Sequence, residues 1–156
     1  MQVLKFAWAP LLPALCYGVL EASLNGNFPV YGLRLGFDVH LIAAIISAFS
    51  IGAIIFQLPL GLASDRFGRR NVLLFAMLIG SVIFLSASIF EHSAYFLLAA
   101  FFIAGMLLGS TYSLSIAFLT DTIPKHLLPA GNLLISICFS LGSISGPFLG
   151  GLAIEI

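Results

Sequence analysis

Charge is scarce in this sequence. Six Lys or Arg and six Asp or Glu residues make up 8% of 156 residues, and the formal net charge is zero. A soluble domain carries about 25% charged residues, so these few cannot cover a water-facing surface. The basic residues also form no run of the kind that nucleic acid requires, and we expect no nucleic-acid partner.

Cysteine and histidine are sparse too. Cys16 and Cys138 both lie in apolar stretches, which excludes a disulfide framework and predicts small core residues. His40, His92 and His126 have no metal-site spacing, and we expect neither a metal nor a cofactor. The apolar stretch that follows the N-terminus is too long for a cleavable signal peptide.

Apolar residues dominate instead, at 61% hydrophobic and a mean hydropathy of +1.17. Runs of about 20 apolar residues cross a bilayer core of about 30 Å as helices. We therefore predict an all-α membrane protein, a polytopic helix bundle surrounded by the lipid bilayer. A single transmembrane domain over residues 1–156 would contain five spans, at residues 6–31, 41–62, 72–90, 95–119 and 127–154.

The orientation of the bundle follows from its basic residues. The polar separators are short, so consecutive spans run antiparallel and their ends alternate sides. Only Arg34 falls on one side, whereas the other side holds Lys5, Arg66, Arg69, Arg70 and Lys125. The positive-inside rule then places the N-terminus and residues 61–70 in the cytoplasm.

Small residues recur every fourth position in three of the predicted spans. Residues four apart share a helix face, and small ones let two backbones approach closely in lipid. The stripes predict a tightly packed bundle, and they are Ala44, Ala48 and Gly52; Gly105, Gly109, Ser113 and Ala117; and Gly142, Gly146 and Gly150.

The stretch GLASDRFGRR, residues 61–70, concentrates charge between the second and third spans. We expect Gly61 to end a helix where another helix comes close, and Gly68 to adopt the positive φ of a tight turn. A helix dipole would favour Asp65 at its positive end. Arg66 or Arg69 would hold this carboxylate, with Asp121 as a further candidate for the network; the simpler alternative is that the arginines only anchor the topology.

This stretch resembles the signature loop of the major facilitator superfamily, which lies between the second and third helices of a six-helix half. The topological position also agrees. The resemblance implies a conformational latch that holds the two halves of a carrier together on the cytoplasmic side and opens during transport. The matching residues are Gly61, Asp65, Arg66, Gly68, Arg69 and Arg70.

The fifth span carries a second match. LGSISGPFLGG, residues 141–151, resembles the antiporter motif of the same family, and this implies efflux. Pro147 removes an N–H that would bond the carbonyl of Ser143, so it predicts a kink. The glycines would let a neighbouring helix pack against that kink. The motif residues are Gly142, Gly146, Pro147, Gly150 and Gly151.

Two departures from the family pattern affect the interpretation. Phe101 stands where the first half of such carriers often has an arginine. Either coupling differs here, or the chain corresponds to the second half, as in some bacterial efflux-type members. Five predicted spans are also fewer than the family's six per half. We therefore expect a fragment of a twelve-helix carrier, whose missing other half is a required partner.

Glu21 is an acidic residue well inside a predicted span, where a charge costs roughly 2.5–3.5 kcal/mol on insertion scales. Tyr17 and Asn25 share its helix face. We interpret Glu21 as a proton- or cation-binding group, and Asn25 and Tyr17 as substrate contacts. Alternatively, Glu21 is protonated and hydrogen-bonded to Asn25 or Ser23. Tyr112 is a further candidate, although an interhelical hydrogen bond is the better explanation for it.

Together these features predict a secondary active transporter. It would move a small-molecule substrate across the bacterial cytoplasmic membrane by alternating access, as efflux coupled to a proton or another cation. The alternatives are a channel, a structural or assembly subunit of a membrane complex, or an intramembrane serine hydrolase. GSISG, residues 142–146, resembles a nucleophile elbow but lacks the strand-to-helix turn, so we do not expect an enzyme.

Overall fold

The computed structural model describes residues 2–155, and the side chains of residues 8–152. Residues 2–155 contain helices and no strand, which confirms the predicted all-α class. A 3₁₀ turn at Lys125–Leu127 precedes the last helix. The α-helices are α1 Gln2–Arg34, α2 Val39–Phe67, α3 Arg69–Ile89, α4 Ala94–Leu108, α5 Thr111–Thr122 and α6 Leu128–Glu155.

Four helical segments of the described residues are long and apolar enough to cross a bilayer: Val39–Phe67, Arg69–Ile89, Ala94–Thr122 and Lys125–Leu152. Many of their large apolar side chains point outward, as lipid requires; Ile54 is 73% and Ile144 77% exposed. Helix α1 has 33 residues, but Glu21, Asn25 and Asn27 interrupt its apolar sequence. The count of five spans stays a prediction.

Helix α2 extends beyond its predicted end. It continues through the charged stretch to Phe67, and Gly68 alone separates it from α3. Gly68 has φ of +91°, and its N–H donates to the carbonyl of Ser64 at 3.1 Å. The positive φ expected at Gly68 is confirmed. Asp65 and Arg66 remain helical, and the turn falls at Gly68 because glycine tolerates a positive φ.

The predicted fourth span is divided into α4 and α5. Residues 109–110 form a turn, and the N–H of Gly109 still donates to the carbonyl of Gly105 at 2.9 Å. Gly109 and Ser110 are weaker helix formers than the leucines before them, which explains the position of the interruption.

The chain divides into two compact units. The terminal unit comprises Met1–Asn27 and Thr111–Ile156, and the central unit comprises Phe28–Ser110. In the terminal unit, α1 and α6 approach at glycines. A Cβ on Gly142 would overlap the carbonyl of Leu15, and one on Gly146 would lie 2.5 Å from that of Val19. The residue numbers of the contacting positions increase in the same direction along α1 and α6, so the two helices run parallel.

The central unit is built on α2, α3 and α4. A Cβ on Gly105 would overlap the carbonyl of Phe49, and one on Gly109 would overlap Ala53. Helices α2 and α4 therefore also run parallel, with their backbones close together as small residues permit. Each of the three predicted stripes thus has a glycine in a helix contact, since a Cβ on Gly52 would overlap the carbonyl of Phe102 in α4, although Ala44 of the same stripe is exposed.

Candidate functional site

The central unit holds the latch cluster, defined as Gly61, Asp65, Arg66, Gly68, Arg69 and Arg70. Arg69 Nη2 lies 2.8 Å from Asp65 Oδ1 across the Gly68 turn. Its Nη1 donates to Ser64 Oγ at 3.3 Å, and Ser64 Oγ in turn donates to the carbonyl of Gly61 at 2.8 Å. A short hydrogen-bonded network therefore connects the end of α2 to the start of α3.

Ser64 belongs to this network, although the sequence analysis did not name it. Its side chain is 1% exposed, in contrast to the surrounding charged residues. The available signal was a small polar residue directly before the first charged residue of the stretch. The guanidinium of Arg66 turns instead toward the Phe67 ring, 6.0 Å from its centroid.

The helix-dipole expectation for Asp65 is wrong. Asp65 lies in the last turn of α2, which is the negative end of that helix, and Arg69 begins α3, at a positive end. Each charge is therefore unfavourably placed on its own helix, and the ion pair offsets both. The Asp65 side chain is 58% exposed, and such pairs contribute about 0.2–1 kcal/mol. The pair can open at little cost.

The expectation for Gly61 is also wrong. Gly61 lies inside α2 rather than at its end, and a Cβ there would meet no atom within 4 Å. Together with Gln57 and Asp65 it lines a groove of about 450 Å³ on the exposed side of α2. Asp121, the further candidate, is an exposed residue near the end of α5 in the terminal unit.

The terminal unit holds the second group of predicted residues, on α1 and α5. Asn25 Nδ2 donates to the backbone carbonyl of Glu21 at 3.0 Å, and Ser23 Oγ donates to the carbonyl of Gly146 at 2.7 Å. Both residues expected as alternative partners of the Glu21 carboxyl are thus bonded elsewhere. Among the side chains of residues 8–152, this half-buried carboxyl has no hydrogen bond or ion pair.

Tyr17 and Tyr112 meet at a ring that the sequence analysis did not name. The Tyr17 and Phe139 rings are stacked, with centroids 6.2 Å apart, and the Tyr112 ring is tilted against Phe139 at 4.9 Å. Tyr112 Oη is also 3.5 Å from Ser136 Oγ. The signal for Phe139 was its position three residues before Gly142, on the side of α6 that contacts α1. We call Tyr17, Tyr112 and Phe139 the aromatic cluster.

The antiporter-like motif occupies α6. Gly142, Gly146 and Gly150 each face α1, whereas a Cβ on Gly151 would meet nothing within 4 Å among the described residues, so the packing role expected for Gly151 stays a prediction. Gly151 lies off the face repeated every four residues. Helix α6 continues through Pro147, whose carbonyl accepts a bond from Asn27 Nδ2 at 2.9 Å. The predicted kink stays a prediction.

GSISG lies entirely within α6, without a strand-to-helix turn. The hydroxyl of Ser145 donates to the carbonyls of Leu141 and Gly142, each at 3.0 Å. This is local bonding within a helix rather than the exposed geometry of a nucleophile.

A polar contact in the central unit was not predicted. Tyr31 Oη donates to the carboxylate of Glu91, and His92 Nδ1 lies 3.7 Å from the other oxygen of that carboxylate. These groups connect the end of α1 to the turn between α3 and α4. Tyr31 and Glu91 are distant in sequence, so no local pattern could have paired them.

Comparison with known proteins gives a consistent result. A family model described as Major Facilitator Superfamily matches residues 11–156. The uncharacterized MFS-type transporter YfkF of Bacillus subtilis is 55% identical over 150 residues, covering 96% of this chain and 38% of that protein.

More distant relatives agree. The uncharacterized transporter BU466 of Buchnera aphidicola is 33% identical over 127 residues, covering 76% of this chain and 31% of its own. The uncharacterized MFS-type transporter YcaD of Shigella flexneri is 26% identical over 141 residues, which cover 88% of this chain and 35% of YcaD. The chain thus spans 31–38% of the length of these three relatives.

Proposed function

Since the chain belongs to the major facilitator superfamily, we propose that it forms part of a secondary active transporter that moves a small solute by alternating access. The chain is a multi-pass membrane protein, and members of this family are transporters rather than enzymes, in agreement with the sequence analysis. In this proposal five spans of a twelve-helix carrier lie in the chain, and the other half supplies the second wall of the cavity.

The observation that carries the proposal is the Asp65–Arg69 ion pair of 2.8 Å. The pair is exposed and weak, and it bridges a turn of one residue, which suits a contact that forms and opens once in each cycle. The open side of Gly61 leaves room for a helix of the other half beside α2. In the open state the arginines would lose this contact and α2 would be released.

The direction and the coupling rest on other residues. The antiporter-like residues 142–151 favour efflux from a bacterial cytoplasm, with the N-terminus and residues 61–70 on the inner side. The carboxyl of Glu21, which has no hydrogen bond or ion pair among the described side chains, is the group that would take up a proton or another cation. Asn25, Tyr17 and Tyr112 would contact the substrate in the same unit.

Side-specific cysteine labelling tests alternating access without knowledge of the substrate. Phe67→Cys is placed in the complete carrier after Cys16 and Cys138 are replaced by serine, because the Phe67 side chain is 66% exposed beside the latch cluster. An impermeant maleimide should label it only from the cytoplasmic face. The labelling rate should change about fivefold when a proton gradient is imposed, as expected for about 1 kcal/mol of latch energy.

The matched control is Tyr95→Cys, which is 88% exposed at the start of α4. It should be labelled from the opposite face, and an uncoupler should remove the gradient effect at Phe67→Cys. Labelling of Phe67→Cys from outside, or a rate independent of any gradient or solute, would contradict the proposed carrier.

A further inference from the structure

We propose that the transported solute is an organic cation with an apolar, aromatic body, which binds against the aromatic cluster with its charge next to Glu21. This inference rests on the proposed function and specifies the class of substrate. All the residues involved belong to the terminal unit.

The aromatic cluster supplies the apolar and π-rich surface. Rings from α1, α5 and α6 lie side by side, with Phe139 between the two tyrosines at 6.2 Å from Tyr17 and 4.9 Å from Tyr112. Ring faces attract cations through their quadrupoles, and desolvated sites strengthen that attraction. Tyr112 and Phe139 remain half-buried rather than closed off, so a ligand can reach their rings.

The charge on Glu21 lies one helical turn from this cluster. Tyr17 and Glu21 are four residues apart, so their side chains are neighbours on α1. Ala14 lies on the same side of α1, one turn before Tyr17. It is fully buried in a cluster with Leu119 of α5 and Ile135 of α6. This side of α1 therefore faces α5 and α6, so the Glu21 carboxyl lies on the side of α1 where Tyr112 and Phe139 are found.

The sequence offers this carboxyl no permanent positive partner. Every Lys and Arg of the chain lies outside residues 6–33 and 71–124, at the ends of the predicted spans. Among the described side chains, Glu21 also accepts no hydrogen bond. A charge in an apolar setting needs a counter-charge, and a ligand cation beside three ring faces would supply it. The same surface would repel an anion.

Binding of tetraphenylphosphonium to the purified complete carrier tests the inference. Equilibrium dialysis should show saturable binding that excess unlabelled tetraphenylphosphonium displaces and tetraphenylborate, a similarly shaped anion, does not. Glu21→Gln should weaken binding about tenfold, and Phe139→Leu about threefold to tenfold, as expected for a lost charge pair and a lost ring face. Phe148→Leu, at an exposed aromatic on the same helix, should bind like the unaltered carrier.

Equal binding of the two probes, or unchanged affinity in Glu21→Gln, would overturn the inference. Size-exclusion elution and helical circular dichroism check the fold of each variant. If Glu21→Gln does not fold, the comparison of Phe139→Leu with Phe148→Leu decides, since equal affinities there would also overturn it.

The two proposals fail in different ways. Gradient-dependent labelling of Phe67→Cys without tetraphenylphosphonium binding would retain the carrier and exclude an organic cation as its substrate. Binding without any gradient-dependent labelling would retain the cation site and contradict alternating access.

Discussion

The latch cluster and the Glu21 face, which consists of Glu21 and the aromatic cluster, both carry polar groups in an apolar chain, but they are organised in opposite ways. The latch cluster lies within ten consecutive residues and is mostly exposed, and its one carboxylate is paired with Arg69 at 2.8 Å. The Glu21 face draws on three helices and is half-buried, and its carboxyl has no partner among the described side chains. Charges near water can pair with each other and separate again cheaply, whereas a lone charge in an apolar setting needs a proton or a ligand.

The largest loss of stability is expected at the close backbone contact between α1 and α6, which holds the Glu21 face together. Gly142→Leu should destabilise the terminal unit by about 3 kcal/mol or more, because even the Cβ of the new side chain would overlap the carbonyl of Leu15. Unfolding of the detergent-solubilised chain in SDS, followed by circular dichroism, measures the change. Gly151→Leu is the matched control, since a Cβ there meets nothing within 4 Å. Equal unfolding curves would show that the close contact of α1 and α6 is not required.

The latch cluster should show the reverse behaviour, with little change in stability and a clear change in conformational equilibrium. Asp65→Ala should alter the free energy of unfolding by less than about 1 kcal/mol. In the absence of a proton gradient, Asp65→Ala should change the labelling rate of Phe67→Cys about fivefold, toward the rate that the unaltered latch shows when a gradient is imposed. Asp38→Ala, another exposed aspartate at an end of α2, should leave that rate unchanged. An equal shift in both variants would remove any special role for Asp65.

A third comparison separates turn geometry from latch function. Gly68→Ala and Gly36→Ala both place a side chain at positive φ, +91° and +81°, and each should cost about 1–2 kcal/mol of stability. Both sites have room for a methyl group, because the nearest atom at Gly68 is 3.8 Å away and none is near Gly36. Only Gly68→Ala should also alter labelling of Phe67→Cys. Equal labelling in the two variants would argue that Gly68 serves only as a turn.

Local rules accounted for much of this architecture. Apolar length predicted the helices, and the preference of glycine for positive φ predicted the turn at Gly68. Spacing by four predicted that Gly142, Gly146 and Gly150 contact a neighbouring helix, which the structure identifies as α1. Each of these features depends on residues close in sequence or on one helix face.

The remaining features depended on tertiary contacts. Phe139 became part of the site only because α1 and α5 approach it from different sides. Gly61 was misassigned because polar residues were taken as the end of a helix that in fact continues to Phe67. Tyr31 and Glu91 likewise meet only after folding.

The turn at Gly68 has a mechanical consequence. Helices of 29 and 21 residues are joined by one residue, and neighbouring Cα atoms are only about 3.8 Å apart. The connection therefore holds no slack, so a rotation at the end of α2 must pass to α3 through the φ and ψ of Gly68. Helices α2 and α3 therefore move as two rigid segments hinged at Gly68.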